Sequence, residues 1–583
     1  MNHRRLTNAL KQRYSLDALR HRLAERDALA ALAVMAIVVG LATGAVTLAF
    51  RLAIELTIDA GLGEDAGFES LPVWLRVALP IGGAGMIALA LFRLSPSSRR
   101  VGVVHVMERL GRHQGRLPLR NAAIQFVGGI VALVTGNSGG REGPAVHLGA
   151  ASGSLLGQVL ELPNNAMRTL VACGTAAAIA GSFNTPIAGV IFAMEVVMME
   201  YTIRSFIPVI ISAVMATLMS HWLLGSEPIF TMPPMQMQSL LEVPYIMLAG
   251  IVFGAVAAAF ISATRWFARF DAHPYWARVL TAGCVTAAIA VAIPQVMGVG
   301  YDIVDRTMVG EFSLWFLLAI VAGKIVASAA AVGLGMPVGI IGPTLVVGAA
   351  LGGAFGYFGG LLAPGVEESM ALYVVLGMGA MMAAVLQAPL AALLAVLELT
   401  ANPGIILPAM LAIVIATLVS GEVFRQPSVF LSTIRVLGLQ YPLPPVTLAM
   451  QKVGVTNVMD RRFERLPAVV PRQTLAESIA KEPSWLLVEG DNHKIICSLR
   501  TSDVGAFLQE REDIDEVRLL EVPGERNDIA DINHTATVFE AQQRLAEGSA
   551  EALCVRRLSA PMIATVQGII TRQDIEQIRK NIT

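Results

Sequence analysis

Residues 139–144 read Gly-Gly-Arg-Glu-Gly-Pro, an ionisable pair between glycines, immediately before a proline and inside an apolar stretch. Proline at a first turn opens a helix without losing a hydrogen bond. Charged side chains at membrane depth are costly enough to mark a function by default. The structural alternative is that Arg141 and Glu142 pair with one another or with neighbours at a membrane surface. If Glu142 faces a site, its carboxylate is itself an anion standing where an anionic substrate would bind, and protonation would release it. Glu142 is then a pH-sensitive gate, with Arg141, Glu142 and Gly143 beside the bound anion. A second block, Gly335-Met336-Pro337-Val338-Gly339-Ile340-Ile341-Gly342-Pro343, has the same punctuation without charge. The backbone amides of Ile340 and Ile341 can donate to an anion there, and weak multi-donor binding suits rapid passage.

The two blocks belong to an internal repeat. Gly143, Pro144, Gly149, Ala150, Gly153 and Gly157 recur as Gly342, Pro343, Gly348, Ala349, Gly352 and Gly356 at a constant offset. Gly174, Ala177, Ala180, Pro186, Ala188 and Glu195 recur as Gly377, Ala380, Ala383, Pro389, Ala391 and Glu398. Small residues also mark helix contact faces in membranes, but two ordered patterns at nearly equal offsets argue against chance. Repeat halves in membrane proteins place a substrate site at their interface, with half-helix N-termini aimed at it. Those N-termini carry partial positive charge and free N–H groups, so they favour anions.

The elements that must position these residues follow from composition. Of 583 residues, 55% are hydrophobic and 15% charged, against about 25% charge in a soluble domain. The charge is concentrated at the ends: 10 charged residues lie in 1–28 and 37 in 455–583. Apolar runs at 29–56, 72–94, 243–268, 275–296 and 313–333 approach the ~20 residues of a bilayer-spanning helix. The stretches around 120–200 and 335–425 are cut by Gly and Pro, and irregular backbone at membrane depth survives only where protein or a water-filled cavity satisfies it. Arginine excess before the first span favours a cytoplasmic N-terminus. The net charge of −1 and the lack of a basic stripe set nucleic acid aside. Cys173, Cys284, Cys497 and Cys554 lie far apart with no metal-ligand spacing, so reduced, packed thiols are expected and no metal site.

Gly-Arg-Glu-Gly-Pro at 140–144, the second block with its continuation, and the segments Phe-Asn-Thr-Pro-Ile-Ala-Gly and Leu-Gln-Ala-Pro-Leu-Ala-Ala together resemble the CLC chloride channel and transporter family. The resemblance implies an all-α polytopic membrane domain of two inverted repeats with broken helices, a homodimer with one anion pathway per subunit, and Glu142 as the gating glutamate. It also places Val101 where the family has an anion-coordinating serine and Val429 where it has a tyrosine, so both hydroxyls are absent and backbone amides must carry coordination. Many exchangers of the family have an inner glutamate directly after the position of Glu195; here Val196 stands there. That substitution puts passive, channel-like conduction of chloride or a related small anion first and proton-coupled exchange second.

Other chemistry is weaker. Gly136-Asn137-Ser138-Gly139-Gly140 fits a serine-nucleophile pattern, but a nucleophile needs a base within reach, and His147 and His221 are poorly placed to supply one. A magnesium channel wants oxygen ligands, and these broken helices offer N–H donors. The tail from about 455 changes to β-rich runs and resembles a tandem pair of CBS domains, an α/β module, with halves about 455–515 and 520–583. That resemblance implies adenine-nucleotide binding in which Thr571 and Asp574 keep the ribose-contacting pattern and Asp503 is the first-half counterpart; Arg500 replaces the first threonine. The expectation is a cytoplasmic basic segment 1–28, a transport domain 29–450 and cytoplasmic CBS domains 455–583. The protein is expected in a bacterial inner or plasma membrane, as a transporter rather than an enzyme, requiring no cofactor.

Overall fold

The structure is a computed structural model that describes residues 29–63, 67–201, 203–225, 230, 235, 237, 239, 242–362, 370–439, 445–451, 453–490, 494–511, 514–560 and 563–582. The basic segment 1–28 lies outside the described residues. The chain divides into two compact units, one comprising Leu32–Val159 and Met167–Pro442, the other built on Leu443–Thr583.

The first unit is helical. Its elements relevant below are α1 (Leu29–Leu62), α2 (Gly102–Arg112), α3 (Leu119–Val134), α4 (Glu142–Val159), α5 (Asn164–Phe183), α6 (Pro186–Phe192), α7 (Tyr301–Met308), α8 (Leu314–Gly333), α9 (Ile341–Leu362), α10 (Met370–Leu386), α11 (Pro389–Thr400) and α12 (Val429–Val436). Among the described residues, eight helices are long and apolar enough to cross a membrane. At 34 residues, α1 is about 51 Å long, well beyond the ~30 Å hydrocarbon layer. By contrast α6 and α11 begin at Pro186 and Pro389, are 7 and 12 residues long, and cannot span alone.

The repeat seen in the sequence is a repeat of packing. Gly140 and Gly339, equivalent residues of the two blocks, form a two-way antiparallel bridge with both N···O distances 2.7 Å. A Cβ on Gly149 would lie 2.2 Å from the Gly174 carbonyl oxygen, and one on Gly348 would lie 2.3 Å from that of Gly377. The glycine spacing therefore records backbone contact between α4 and α5 and, identically, between α9 and α10. We expect Gly174→Ala, whose Cβ would sit 1.9 Å from the Gly149 oxygen, to cost about 1–3 kcal/mol or more. Thermal unfolding of the purified chain measures this, with Gly85→Ala, where nothing lies within 4 Å, expected to unfold like the parent.

The second unit carries a six-stranded sheet ordered β1-β3-β4-β6-β7-β8, from β1 (Phe463–Pro467), β3 (Trp485–Glu489), β4 (Ile495–Arg500), β6 (Arg526–Asn533), β7 (Ala552–Ala560) and β8 (Ile563–Thr571). A separate ribbon pairs β2 (Val469–Pro471) with β5 (Glu516–Arg518). The sheet is two copies of one plan. β1 runs parallel to β3, which is antiparallel to β4; β6 runs parallel to β7, which is antiparallel to β8; β4 and β6 join the copies. Helices Arg472–Ile479 and Val538–Glu547 make the crossovers, and Thr501–Glu510 and Arg572–Ile582 follow the last strand of each copy. Thr537 and Glu540 form a reciprocal capping box on the second crossover helix. The unit begins earlier than the change in composition suggests, because Met450 of the short helix Pro445–Gln451 is buried with Val538 and Leu553 in the core of the second copy. Cys497 and Cys554 are buried, unpaired thiols in that sheet, and burial pushes the Cys554 thiol up to about 11.

Candidate functional site

Glu142 is the first residue of α4 and is fully buried. Its Oε1 accepts a hydrogen bond from the Tyr301 hydroxyl, and its Oε2 accepts one from the Gly342 backbone N–H at 3.2 Å. Gly342 lies in the first turn of α9, so the carboxylate of one repeat sits at the helix N-terminus of the other, where a free N–H and partial positive charge favour an anion. The donor is Gly342, one residue beyond the Ile340–Ile341 pair expected from the sequence.

Arg141 does not serve that carboxylate closely. Its Nη1 donates to Glu55 Oε1 of α1 at 2.7 Å, while its Nε stands 3.9 Å from Glu142 Oε1. Its guanidinium lies over the Tyr301 ring, 5.5 Å from the centroid. Arg51 also bonds Glu55, at 2.8 Å. Arg141 is thus held by Glu55 and Tyr301, with its Nε turned at longer range to the Glu142 carboxylate.

Directly beside this locus lies a cavity of about 450 Å³, lined by Val101, Gly143, Ile340 and Val429 together with Phe430, His105 and the 335–339 loop. Arg141, Glu142 and Ile341 are not among its lining residues. Val101 is the residue before α2 and Val429 the first residue of α12, so two helix starts meet the cavity wall with apolar side chains. Arg99, Arg100 and Arg278 also line it, with Arg100 on Glu108 and Arg278 on Asp271, each at 2.5 Å. The wall thus offers backbone donors and partly compensated guanidinium groups, a surface suited to weak anion contact.

Glu195 and Glu398 hold the repeats together. Glu195 accepts from the backbone N–H groups of Leu390 and Ala391 at the start of α11, at 3.3 and 2.8 Å. Glu398 accepts from Ile187 and Ala188 at the start of α6, at 2.9 and 2.8 Å. Each carboxylate supplies the acceptors that the other half's helix lacks at its first turn. Val196, next to Glu195, is buried in the π-turn Ala193–Met198 that extends α6. Ser138 is bonded to Ser328 through their hydroxyls at 2.8 Å, whereas His147 is bonded to His105 and His221 to Asn184. Among the described residues the serine-nucleophile pattern therefore has no histidine bonded to Ser138.

In the second unit a cleft of about 410 Å³ is lined by Trp485, Arg500, Thr501, Ser502, Thr571, Gln573 and Asp574. Thr571 donates to Asp574 Oδ2 at 2.7 Å. Asp503 is not among the lining residues; its Oδ2 accepts from the Glu525 N–H at 3.0 Å, and like Asp574 it stands third in the helix after the last strand of its copy. Arg500 stacks over Trp485 at 5.4 Å and donates to Gln573.

A membrane unit of two repeats, with a buried carboxylate of one half capping a broken helix of the other beside an amide-lined cavity, defines an anion-transport class of protein. Residues 83–421 match the family described as voltage gated chloride channel, and the chain belongs to that family, the CLC family; it is an integral membrane protein of it. A putative chloride channel protein, ClcB-like, from Ralstonia nicotianae is 33% identical over 405 residues, covering 67% of this chain and 94% of that protein. The H(+)/Cl(-) exchange transporter ClcA of Vibrio campbellii is 29% identical over 406 residues, covering 67% of this chain and 86% of that protein. The fold is also that of a slow cyanobacterial Cl-/H+ antiporter (24% identity, TM-score 0.63, 70% of this chain and 98% of that one). It is shared with a eukaryotic CLC transporter as well (17% identity, TM-score 0.56, 93% and 97%).

Proposed function

We propose that the protein exchanges chloride for protons across a bacterial membrane, with Glu142 as the group that both ligands displace or charge. The observation that carries this reading is the Glu142 carboxylate on the Gly342 N–H. In the ionised state it fills the anion's place at the N-terminus of α9. Once protonated it has no charge to set against that N–H, and chloride from the cavity takes the position. One locus then binds either a chloride or an ionised carboxylate, so anion entry and proton uptake are tied together. Gly143, Ile340, Val101 and Val429 form the approach, with backbone amides replacing the hydroxyls that the two valines lack.

The sequence placed passive conduction first because of Val196. Relatives matched across two thirds of this chain and named H(+)/Cl(-) exchange transporters favour exchange instead. The test is purified protein in liposomes holding a chloride gradient, with chloride efflux and external pH recorded together. Protons driven uphill by chloride support exchange; chloride movement with static pH returns the reading to a channel, the name carried by the Ralstonia relative.

The doubled βαββα plan of the second unit supports a CBS pair, proposed to be cytoplasmic, in a chain that works as a homodimer. Its cleft, with Thr571 and Asp574 on one wall and Trp485 on another, is proposed to take an adenine nucleotide. A nucleotide at 100 times its Kd adds about 2.7 kcal/mol to the stability of this unit. We expect ATP or AMP to raise its unfolding temperature, and Asp574→Asn to abolish that rise.

A further inference from the structure

Proton exchange needs a path between the cavity and Glu142, and among the described residues the acids nearby are already engaged. Glu195 caps α11 and Glu108 pairs with Arg100, and the residue after Glu195 is apolar Val196. Two buried histidines lie on the helices beside it. His105 of α2 lines the cavity, and its Nδ1 lies 2.8 Å from Nε2 of His147 on α4, the helix that Glu142 begins. The rings are 5.1 Å apart and tilted by 41°. His147 is fully buried and its Nδ1 has no protein partner. A buried ring nitrogen left unbonded costs about 1–3 kcal/mol, and a water is the group small enough to serve it.

Resting on the exchange reading above, we propose that the His105–His147 pair is the proton relay between the cavity and the gate. Imidazole suits the task because one nitrogen accepts while the other donates. A proton from cavity water bonds to the free nitrogen of His105. The Nδ1–H of His105 breaks as Nε2–H of His147 forms, and the Nδ1–H of His147 breaks to the water beyond it. One proton crosses and both rings end in the other tautomer; ring rotation resets them for the next proton, whereas the reverse hop carries the proton back. His147 stands five residues beyond Glu142 on α4, an axial rise of about 7.5 Å with a turn of about 140°, and in the proposal water carries the proton over that last stretch.

The charged and titratable groups on the elements around the pair are Arg100, Glu108, Arg109, Arg112 and His113 on or beside α2, Arg120 on α3, Arg141 and Glu142 at the start of α4, Arg168 and Cys173 on α5, Glu195 on the π-turn and Arg435 on α12.

The experiment compares the full chain with His105→Gln and His147→Gln in liposomes under a chloride gradient, reading protons moved per chloride. Glutamine can hydrogen-bond in place of either ring but cannot pass a proton through itself. We expect chloride efflux within about twofold of the parent and proton movement lower by about tenfold or more. Unchanged proton-to-chloride ratios in variants of a parent that does pump protons would overturn the relay alone. A parent that moves chloride and no protons would overturn the exchange reading and the relay with it. If His147→Gln loses chloride flux as well, His105→Gln decides: proton movement lost with chloride flux kept supports the relay, and proton movement kept overturns it.

Discussion

Glu142→Gln is expected to abolish proton movement while leaving chloride flux in place and insensitive to pH. The amide oxygen can still accept from the Gly342 N–H while its NH2 donates to the Tyr301 hydroxyl oxygen, so the fold at the junction of α4 and α9 is kept. What is lost is the charge and its titration. A hydrogen bond to an ionised group contributes about 1.5–3 kcal/mol and a neutral one about 1, and this carboxylate accepts two. The amide therefore competes with chloride for the α9 N-terminus at least about fivefold less well. Paired chloride and pH traces from liposomes measure both effects; a variant that still pumps protons would remove Glu142 from the coupling step.

Tyr301→Phe is the second large effect expected. It deletes the hydroxyl that donates to Glu142 Oε1 while leaving the ring between Phe183 and Phe230, at 6.2 and 5.4 Å, and beneath Arg141. Removing one charge-assisted bond of about 1.5–3 kcal/mol raises the released fraction of the glutamate about tenfold or more. The bond favours the ionised carboxylate, so without it protonation competes better. The sign follows: chloride flux, which falls as pH rises and the gate charges, persists to higher pH in the variant. Flux recorded across a pH series checks this, and Glu142→Gln with Tyr301→Phe is expected to match Glu142→Gln alone, because the hydroxyl acts only through that carboxylate. An unshifted profile would reduce Tyr301 to a packing residue.

The parts of the architecture that the sequence made legible are those in which local spacing records backbone contact. Gly149, Gly174, Gly348 and Gly377 recur because helices touch there through their main chains. Gly140 and Gly339 are readable as a matched pair because nothing with a Cβ fits between the crossing loops. Contacts made by long side chains across the chain leave no spacing. Tyr301 meets Glu142 over 159 residues, from α7, whose start follows two left-handed glycines, Gly298 and Gly300, that carry no recognisable motif. Glu55 lies 86 residues from Arg141 and His105 lies 42 from His147. The two tail copies align along β4 and β8, with Asp503 and Asp574 each third in the helix that follows, but only the structure shows that one carboxylate accepts from the Glu525 N–H and the other from Thr571.

The most direct test of chloride–proton exchange is the voltage of zero net flux across liposomes with equal chloride on both sides. Imposing a pH gradient alone displaces that voltage if each chloride moves against protons at Glu142, and the displacement vanishes in Glu142→Gln. A zero-flux voltage that follows chloride and ignores pH in the parent protein would contradict the account.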